Sequence, residues 1–393
     1  MKLIYMLLFI FVLMIILQNR NNGYQIEKYS LPTDAHWSRG VYSPELQIWV
    51  TVGIPRLPGC TAVSGYSSDG TKWEYTSPTN NGLPVQYGPL QQYGWNSVAY
   101  GNTQSGPLFV AVSNGYDHWM RNGTTHYVNG QITDIERYVS VATSTDGIIW
   151  TTGTGLFPYG SWFVTYDPVS QFFQAVGDLA DTQYSVYNSY GAQSIDGVNW
   201  QMTGFPYGNF EILDMCYGNS GIAAAGWQDG GDNDNVAVTN ILPSSTTIWN
   251  LSSNIPSKET IFSVKFLQGA YFATGLYGLY VSTDGINWSN LNVTDVNATP
   301  LFTGGLINSD IDYFRSNFVL HICSGNGTGQ FYYSKYPIGP YMLGVDNTGN
   351  IINDTFTIKL SSNKLIIIGL GYFNGQNISV VWSRDGKHWT ITQ

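Results

Sequence analysis

The heptapeptide STDGIIW at residues 144–150 is one of five copies of the phrase S-x-D-G-x-x-W in this chain of 393 residues. The other copies are SSDGTKW at 67–73, SIDGVNW at 194–200, STDGINW at 282–288 and SRDGKHW at 383–389. A phrase that returns at a period of roughly 40 to 50 residues is typical of a repeat architecture. The copies therefore predict the scaffold of the protein before they say anything about its function.

The phrase itself predicts a tight turn between two strands. Glycine adopts the positive φ that a hairpin turn requires, and the preceding aspartate accepts backbone N–H groups across the turn. The tryptophan three residues later begins the returning strand, where its large ring fills the gap between neighbouring repeats. We therefore assign a structural role to the five aspartates of the phrase, Asp69, Asp146, Asp196, Asp284 and Asp385.

Short alternating runs precede each phrase. In the second repeat they are Val98–Tyr100 and Phe109–Val112, and in the third repeat Val164–Tyr166 and Phe173–Gly177. Period-two runs that are separated by turn residues predict antiparallel strands. Two further repeats keep such runs but lack the turn phrase, which brings the number of repeats to seven.

Seven repeats of four strands predict an all-β fold, a seven-bladed β-propeller of four-stranded antiparallel blades. We expect residues 24–393 to form the propeller, with Tyr24–Leu31 beside the last outer strand, where it would help to close the ring. The seven repeats span approximately residues 32–77, 92–154, 158–204, 208–253, 258–293, 306–345 and 353–393.

The turn phrase resembles the Asp-box, or bacterial neuraminidase repeat, of sialidases and other β-propellers, with one residue fewer between aspartate and glycine. The resemblance covers nearly the whole chain and implies a sialidase-like scaffold whose boxes lie away from the binding site. A sialidase also needs three arginines on the substrate carboxylate, and bidentate guanidinium geometry makes them hard to replace. Of the seven arginines here, only Arg39 and Arg315 lie near predicted inner strands. Sialidase activity is therefore an alternative and not the preferred interpretation.

The N-terminus predicts the compartment. Lys2 precedes the apolar run Leu3–Leu17, which is typical of a signal peptide, here within residues 1–23. No small-residue cleavage site follows, so an uncleaved anchor that holds the chain to a membrane through residues 3–17 is the alternative. Either way we expect a secreted or membrane-anchored protein with its propeller outside the cytosol. Eight N-x-S/T sequons agree with this and predict glycosylation at Asn122, Asn250, Asn287, Asn292, Asn297, Asn326, Asn353 and Asn377.

Composition excludes several classes of function. With 16 Lys and Arg against 26 Asp and Glu, the chain has no basic stripe for nucleic acid. Three cysteines without a C-x-x-C pair predict neither a disulfide framework nor a metal site, and no cofactor is expected. Aromatic residues make up 15% of the chain. Exposed Tyr and Trp beside amide side chains favour a glycan or glycoprotein as the partner.

The inner strands predict where a binding site would lie. In a propeller the first strand of each blade lines the central channel, so residues beside these strands converge on one opening. The candidates for binding are Trp37, Arg39, Trp95, Trp162, Glu211 and Asp312. The plainer alternative is a water-filled channel with ordinary core tryptophans. A second candidate is the long insertion at residues 114–137 of the second repeat.

Three functions agree with these observations. We prefer a non-catalytic recognition propeller for glycans or glycoproteins, because no complete catalytic set is found. A sialidase-like or other glycoside hydrolase is the second, with Glu211 and Asp312 as paired carboxylates and Arg39 beside them. A structural surface or assembly protein is the third.

Overall fold

The computed structural model describes most of the chain beyond the N-terminal segment. The described residues are 28–29, 31–32, 34–55, 60–84, 86–87, 92–113, 127–128, 131–132, 141–153, 162–181, 186–203, 210–228, 236–240, 249–252, 254–256, 259–303, 306–324, 328–352, 356–373 and 380–392. Within them no helix is long and apolar enough to cross a membrane. The predicted leader, residues 1–23, lies outside them.

The described strands form seven sheets of four to six strands. The first sheet contains Ala35–Trp37, Val41–Ser43, Ile48–Pro55, Ser64–Ser67, Trp73–Tyr75 and Lys28–Tyr29. The second contains Trp95–Thr103, Gly106–Ser113, Val141–Ser144 and Thr151–Gly153. The third contains Trp162–Asp167, Phe172–Asp181, Val186–Ser194 and Gln201–Met202, and the fourth contains Phe210–Gly218, Gly221–Gln228, Val236–Asn240 and Trp249–Leu251.

The remaining sheets follow the same order. The fifth contains Ile261–Leu267, Ala270–Gly275, Leu279–Ser282 and Ser289–Asn290, and the sixth contains Leu306–Phe314, Asn317–Ser324, Gly329–Ser334 and Met342–Leu343. The seventh contains Phe356–Ser362, Ile367–Phe373, Val380–Ser383, His388–Thr392 and Val345–Asp346. Separate features are two hairpins and a 3-10 helix, at Gln86–Tyr87 with Gln92–Tyr93, Tyr127–Val128 with Gln131–Ile132, and Pro78–Asn80.

The sheets are arranged as a β-propeller. Four successive strands pair antiparallel in each sheet, and the first strands of successive sheets contact one another. In the first sheet the first strand is divided into Ala35–Trp37 and Val41–Ser43, which both pair with Ile48–Pro55. Lys28–Tyr29 and Val345–Asp346 are added at outer edges. The first and seventh sheets also meet, because Gly70 lies against Ile366 and Ile368. Radial packing of this kind leaves only short strand edges. The prediction of an all-β propeller is confirmed.

One detail of the predicted closure is wrong. Lys28–Tyr29 pairs with Trp73 and Glu74 at the outer edge of the first sheet, and not with the last outer strand. The outer edge of His388–Thr392 is already occupied by Val345–Asp346, which pairs with it in parallel. An edge strand can accept only one partner on its free side, so the N-terminal strand extends the first sheet.

The five S-x-D-G-x-x-W turns share one hydrogen-bond pattern. In the second sheet the Ser144 Oγ accepts the N–H of Gly147 at 2.8 Å. The Asp146 Oδ1 accepts the N–H groups of Ile148 and Ile149 at 2.8 and 2.9 Å. The Gly147 φ is +74°, a conformation that side chains other than glycine rarely adopt. Equivalent bonds occur at the other four turns, which begin at Ser67, Ser194, Ser282 and Ser383.

The tryptophans of these turns are buried between neighbouring sheets. Trp200 of the third sheet packs in one cluster with Val110 of the second, and Trp288 of the fifth packs with Ala223 of the fourth. The turn glycine follows the same rule, because Gly197 contacts Val110. Each turn therefore packs its sheet against the preceding one. The size of the tryptophan ring in the phrase had led us to expect this contact.

The sixth sheet makes the same contact with a different residue. Ser334 is kept, and its Oγ accepts the N–H of Tyr336 at 3.2 Å. After a longer turn, the fully buried Tyr341 packs in a cluster with Phe272 and Leu279 of the fifth sheet. Tyr341 thus takes the place of the tryptophan in a repeat that lacks the phrase.

Candidate functional site

Strand pairing places one residue of each first strand at the same level of the central channel. In the second sheet this residue is Ser97, three positions before Tyr100, which pairs with Phe109 of the second strand. The same register holds in the other sheets. The seven residues at this level are Arg39, Ser97, Phe163, Asp214, Ser263, Asp310 and Lys359.

Three of these residues, Ser97, Asp214 and Asp310, connect neighbouring first strands. The Ser97 Oγ accepts the N–H of Val164 at 3.3 Å. In the same way the Asp214 Oδ2 accepts the N–H of Val264 at 3.0 Å. The first strand has no further strand on its channel side, so its N–H groups need side-chain acceptors. These acceptors therefore hold the sheets together around the channel.

Arg39 crosses the channel from the first sheet to the sheets opposite. Its Nη1 and Nη2 donate to the two carboxylate oxygens of Asp214 at 3.0 and 2.6 Å. Its Nη2 also donates to the Oγ of Ser263 at 3.0 Å and lies 3.4 Å from the carboxylate of Asp310. Bidentate Arg–carboxylate pairs are the most directional ion pairs in proteins. Arg39 thus joins the first sheet to the fourth, fifth and sixth.

Two lysines complete the cluster. The Lys265 Nζ lies 3.5 Å from Asp310 and 3.4 Å from Asp312, and it donates to the carbonyl oxygen of Leu360 at 2.6 Å. The Lys359 Nζ donates to the carbonyl oxygen of Phe262 and lies 3.9 Å from the carboxylate of Asp214. Three cations thus face three carboxylates. We call these six residues the channel cluster: Arg39, Asp214, Lys265, Asp310, Asp312 and Lys359.

Charge compensation sets the protonation of the cluster. Burial alone would raise the pKa of Asp310, but the charges of Lys265, Arg39 and Lys359 lower it well below its usual range. Burial lowers the pKa of Lys359, while the carboxylates of Asp214 and Asp310 oppose that effect. Asp310 is therefore ionised at neutral pH and stays paired.

A cavity of about 690 Å³ occupies the rest of the channel. All members of the channel cluster except Asp310 line it, together with apolar residues of the first three sheets that include Val41, Ala99 and Phe163. At one end the wall contains half-buried tyrosines that contact the preceding sheet. The Tyr166 hydroxyl, for example, donates to the carbonyl oxygen of Asn102 at 3.0 Å. These tyrosines seal the seams between sheets.

Two of the predicted binding residues border the channel cavity but expose almost no surface to it. Trp37 and Trp95 are each 1% exposed and belong to the core between the sheets. Their indole N–H groups donate to the carbonyl oxygens of Pro32 and Pro84 at 2.8 and 3.1 Å. The prediction that these rings are presented to a ligand is wrong, because the connections before the first strands cover them.

The other predicted site residues have different outcomes. Arg39 and Asp312 lie in the channel, although each is committed to an ion pair. Trp162 begins its strand opposite Gly177, and Glu211 is the second residue of its strand, opposite Trp227. The side chains of both lie outside the described part. Of the insertion 114–137, the structure describes only the hairpin Tyr127–Val128 with Gln131–Ile132.

Lys265 and Lys359 were missed in the sequence. Each lies on a first strand among apolar neighbours, and its carboxylate partners are distant in the chain. The position of a residue within its repeat could have identified one of them. Lys359 occupies the same repeat position as Arg39, Asp214 and Asp310, so aligning the repeats by strand register would have grouped these four charges.

The predicted glycosylation sites can be located in part. Among the sequons, Asn287, Asn292 and Asn297 are exposed, and the side chain of Asn250 is outside the described part. The remaining four, Asn122, Asn326, Asn353 and Asn377, lie outside the described residues. No disulfide joins the three cysteines, all of which are described. The described ranges contain no cluster of three His, Cys, Asp or Glu side chains that could hold a metal ion.

Comparison with known proteins supports the fold. No protein-family model and no curated protein matches the chain. Among solved structures, YCF48 bound to D1 peptide is similar over 93% of this chain and 96% of its own, with 15% identity and a TM-score of 0.55. The BP39L lectin from Burkholderia pseudomallei is similar over 92% of this chain and 99% of its own, with 9% identity and a TM-score of 0.58. The shared feature is the β-propeller.

Proposed function

We propose that the protein is a non-catalytic recognition propeller of seven blades that binds glycans or glycoproteins. The observation that carries this proposal is the state of the channel cluster. Its three carboxylates face three cations. Asp214 and Asp310 also accept backbone N–H groups of the next sheet. Charged groups that are held in this way stabilise the ring instead of acting on a substrate.

The same state argues against glycoside hydrolysis in the channel. That reaction needs two carboxyl groups roughly 5 to 9.5 Å apart, one of which is protonated and has a raised pKa. Asp310 has a lowered pKa, and Asp312 lies 3.4 Å from the Lys265 ammonium group. Asp310 is therefore not suited to donate a proton to a leaving group, and Asp312 is held in an ion pair. Glu211, the other carboxylate of that alternative, is best tested by mutation.

Recognition agrees with the composition and with the fold. The chain has 28 Tyr and 13 Trp residues but few charges, which suits ligands that offer both apolar faces and hydroxyl groups. A propeller supports many functions, so the fold alone does not select one. The similar solved structures include a lectin and a protein bound to a peptide.

We also propose that the propeller lies outside the cytosol, with residues 1–23 as a cleaved leader or an anchor. Support comes from the apolar run Leu3–Leu17 and from the exposure of three sequons. In the fifth sheet and the connection after it, Asn287, Asn292 and Asn297 are all accessible to a glycosyltransferase. Expression in a secretory host, followed by glycosidase digestion, would show whether these asparagines carry sugars.

The test of recognition combines binding with turnover. We expect the purified chain to bind members of a printed glycan array and to leave a panel of chromogenic glycosides, sialosides included, uncleaved. The variants Glu211→Gln and Asp312→Asn should fold and keep the binding. Turnover that disappears in either variant would contradict the proposal and favour the hydrolase.

A further inference from the structure

A second cavity lies outside the channel, at the seam between the second and third sheets. Its volume is about 480 Å³, which falls in the range of roughly 300–1,000 Å³ typical of small-molecule sites. The second and third sheets each contribute the turn between their first two strands and their S-x-D-G turn to its wall. We call it the seam cleft, and its lining residues are 103–108, Thr145, 170–172, Ile195 and Asp196.

Hydrogen bonds within the turns hold the walls of the seam cleft in place. In the third sheet, Asp167 accepts the N–H of Val169 at 2.8 Å and the hydroxyl of Ser170 at 2.5 Å. In the second sheet, the Thr103 hydroxyl donates to the carbonyl oxygen of Gly106 at 2.9 Å. The Tyr166–Asn102 bond described above joins the two sides. A ligand would thus meet a preformed surface and pay little ordering entropy.

The lining combines neutral polar groups with an apolar surface. Gln104, Ser105 and Thr145 are exposed, and their amide and hydroxyl groups can both donate and accept hydrogen bonds. The apolar part includes half-buried Phe172 and Ile195, which is 60% exposed. A sugar ring offers the complementary surface, with hydroxyl groups at its rim and C–H groups on its faces.

The charges that line the seam cleft disfavour acidic ligands. No Lys, Arg or His is among its lining residues, all of which are described. Asp196 is the single charged residue, and its Oδ1 accepts the N–H groups of Val198 and Asn199 at 2.9 and 2.7 Å. Its Oδ2 accepts the Asn199 amide at 2.7 Å. A carboxylate or sulfate on a ligand would find no cation here and would lie near this aspartate.

We propose that the seam cleft binds a neutral sugar residue, an inference that rests on the proposed recognition function and gives it a site and a ligand class. The second positions of two turn phrases, Thr145 and Ile195, face the ligand. The turns that fasten the sheets together therefore also supply part of the binding surface.

The experiment compares two equivalent threonines. Thr145 and Thr283 occupy the same position of the phrase, and both are exposed, but only Thr145 lines the seam cleft. The full chain and the variants Thr145→Trp and Thr283→Trp are applied to an array of neutral oligosaccharides, printed beside sialylated and sulfated forms of the same cores. We expect Thr145→Trp to weaken binding at least about tenfold, and Thr283→Trp to leave it within about twofold. Gln104→Ala, which removes only a polar contact, should weaken it by a smaller factor.

Each result supports or overturns the inference. Binding of neutral cores that is lost in Thr145→Trp and kept in Thr283→Trp, with equal melting temperatures, supports it. Unchanged binding in Thr145→Trp, or tighter binding of the acidic forms, overturns the seam cleft while the recognition function stands. Absence of binding to every oligosaccharide on the array overturns both.

Discussion

Replacing Arg39 with methionine tests whether the channel cluster is structural. The variant keeps an unbranched side chain that replaces the aliphatic stem of arginine but removes the guanidinium that bridges Asp214, Ser263 and Asp310. Removing one partner of a buried ion pair costs about 3–5 kcal/mol, because the other charge stays buried without compensation. Asp214 would keep the N–H groups of Met215 and Val264 at 2.9 and 3.0 Å. We therefore expect a loss near the lower end, about 3 kcal/mol.

Two further variants separate this effect from lost packing. Arg384→Met removes an exposed guanidinium 5.7 Å from the ring centre of Trp382, and should cost less than about 0.5–1 kcal/mol. In Arg39→Met/Asp214→Asn the negative charge is removed together with its partner, while the amide oxygen can still accept the N–H of Val264, so part of the loss should be recovered. The assay is urea unfolding followed by tryptophan fluorescence. If Arg39→Met were as stable as Arg384→Met, the cluster would not hold the ring together.

Three other predictions follow from single positions. Trp288→Ala should lower the free energy of unfolding by about 3–5 kcal/mol in the same urea assay, and an unchanged midpoint would contradict its burial. Burial lowers the pKa of His321 to about 3 in the folded chain, whereas the unfolded chain keeps the ordinary value near 6.5. The unfolded chain therefore takes up this proton at a higher pH than the folded chain, and the free energy of unfolding should fall as the pH drops from about 6.5 towards 3. In His321→Phe the decline between pH 6.5 and 5 should be smaller by about 2 kcal/mol, and equal slopes in urea titrations would contradict this. Gly147→Ala should melt at a clearly lower temperature than Gly349→Ala. Both glycines have a positive φ, but a Cβ added at Gly147 would lie 2.4 Å from a neighbouring side chain, whereas one added at Gly349 would meet no atom within 4 Å. Equal melting temperatures would refute this steric explanation.

Much of the fold could be predicted because its signals are local. The turn phrase fixes a hairpin within seven residues, and the period-two runs before it fix the strands. Tyr341 shows the limit of this reasoning. It fills the gap that tryptophan fills elsewhere, but it follows a longer turn and belongs to no motif. Its role becomes visible only through its contacts with the fifth sheet.

The candidate site was predicted less well because it depends on contacts between distant segments. Arg39 and Asp312 were expected at the channel from their place beside the first strands, and both lie there. Trp37 and Trp95 have the same kind of position but are covered by the preceding connections. Nothing in the local sequence distinguishes a ring that faces the channel from one that faces the core.

The part that two of the five turns play in the seam cleft could not be predicted from the sequence either. The second position of the phrase varies, with Thr145 and Ile195 in the turns that border the cleft. A motif analysis treats this position as free. Its chemistry gains meaning only when neighbouring sheets bring two such turns together.

Binding of glycans without turnover is best measured by incubating the purified chain with a mixture of neutral and acidic oligosaccharides and analysing the bound and unbound fractions by mass spectrometry over many hours. We expect neutral oligosaccharides to be enriched in the bound fraction and every oligosaccharide to keep its original mass. New, shorter products that accumulate with time and with protein concentration, or a bound fraction without any oligosaccharide, would contradict this expectation.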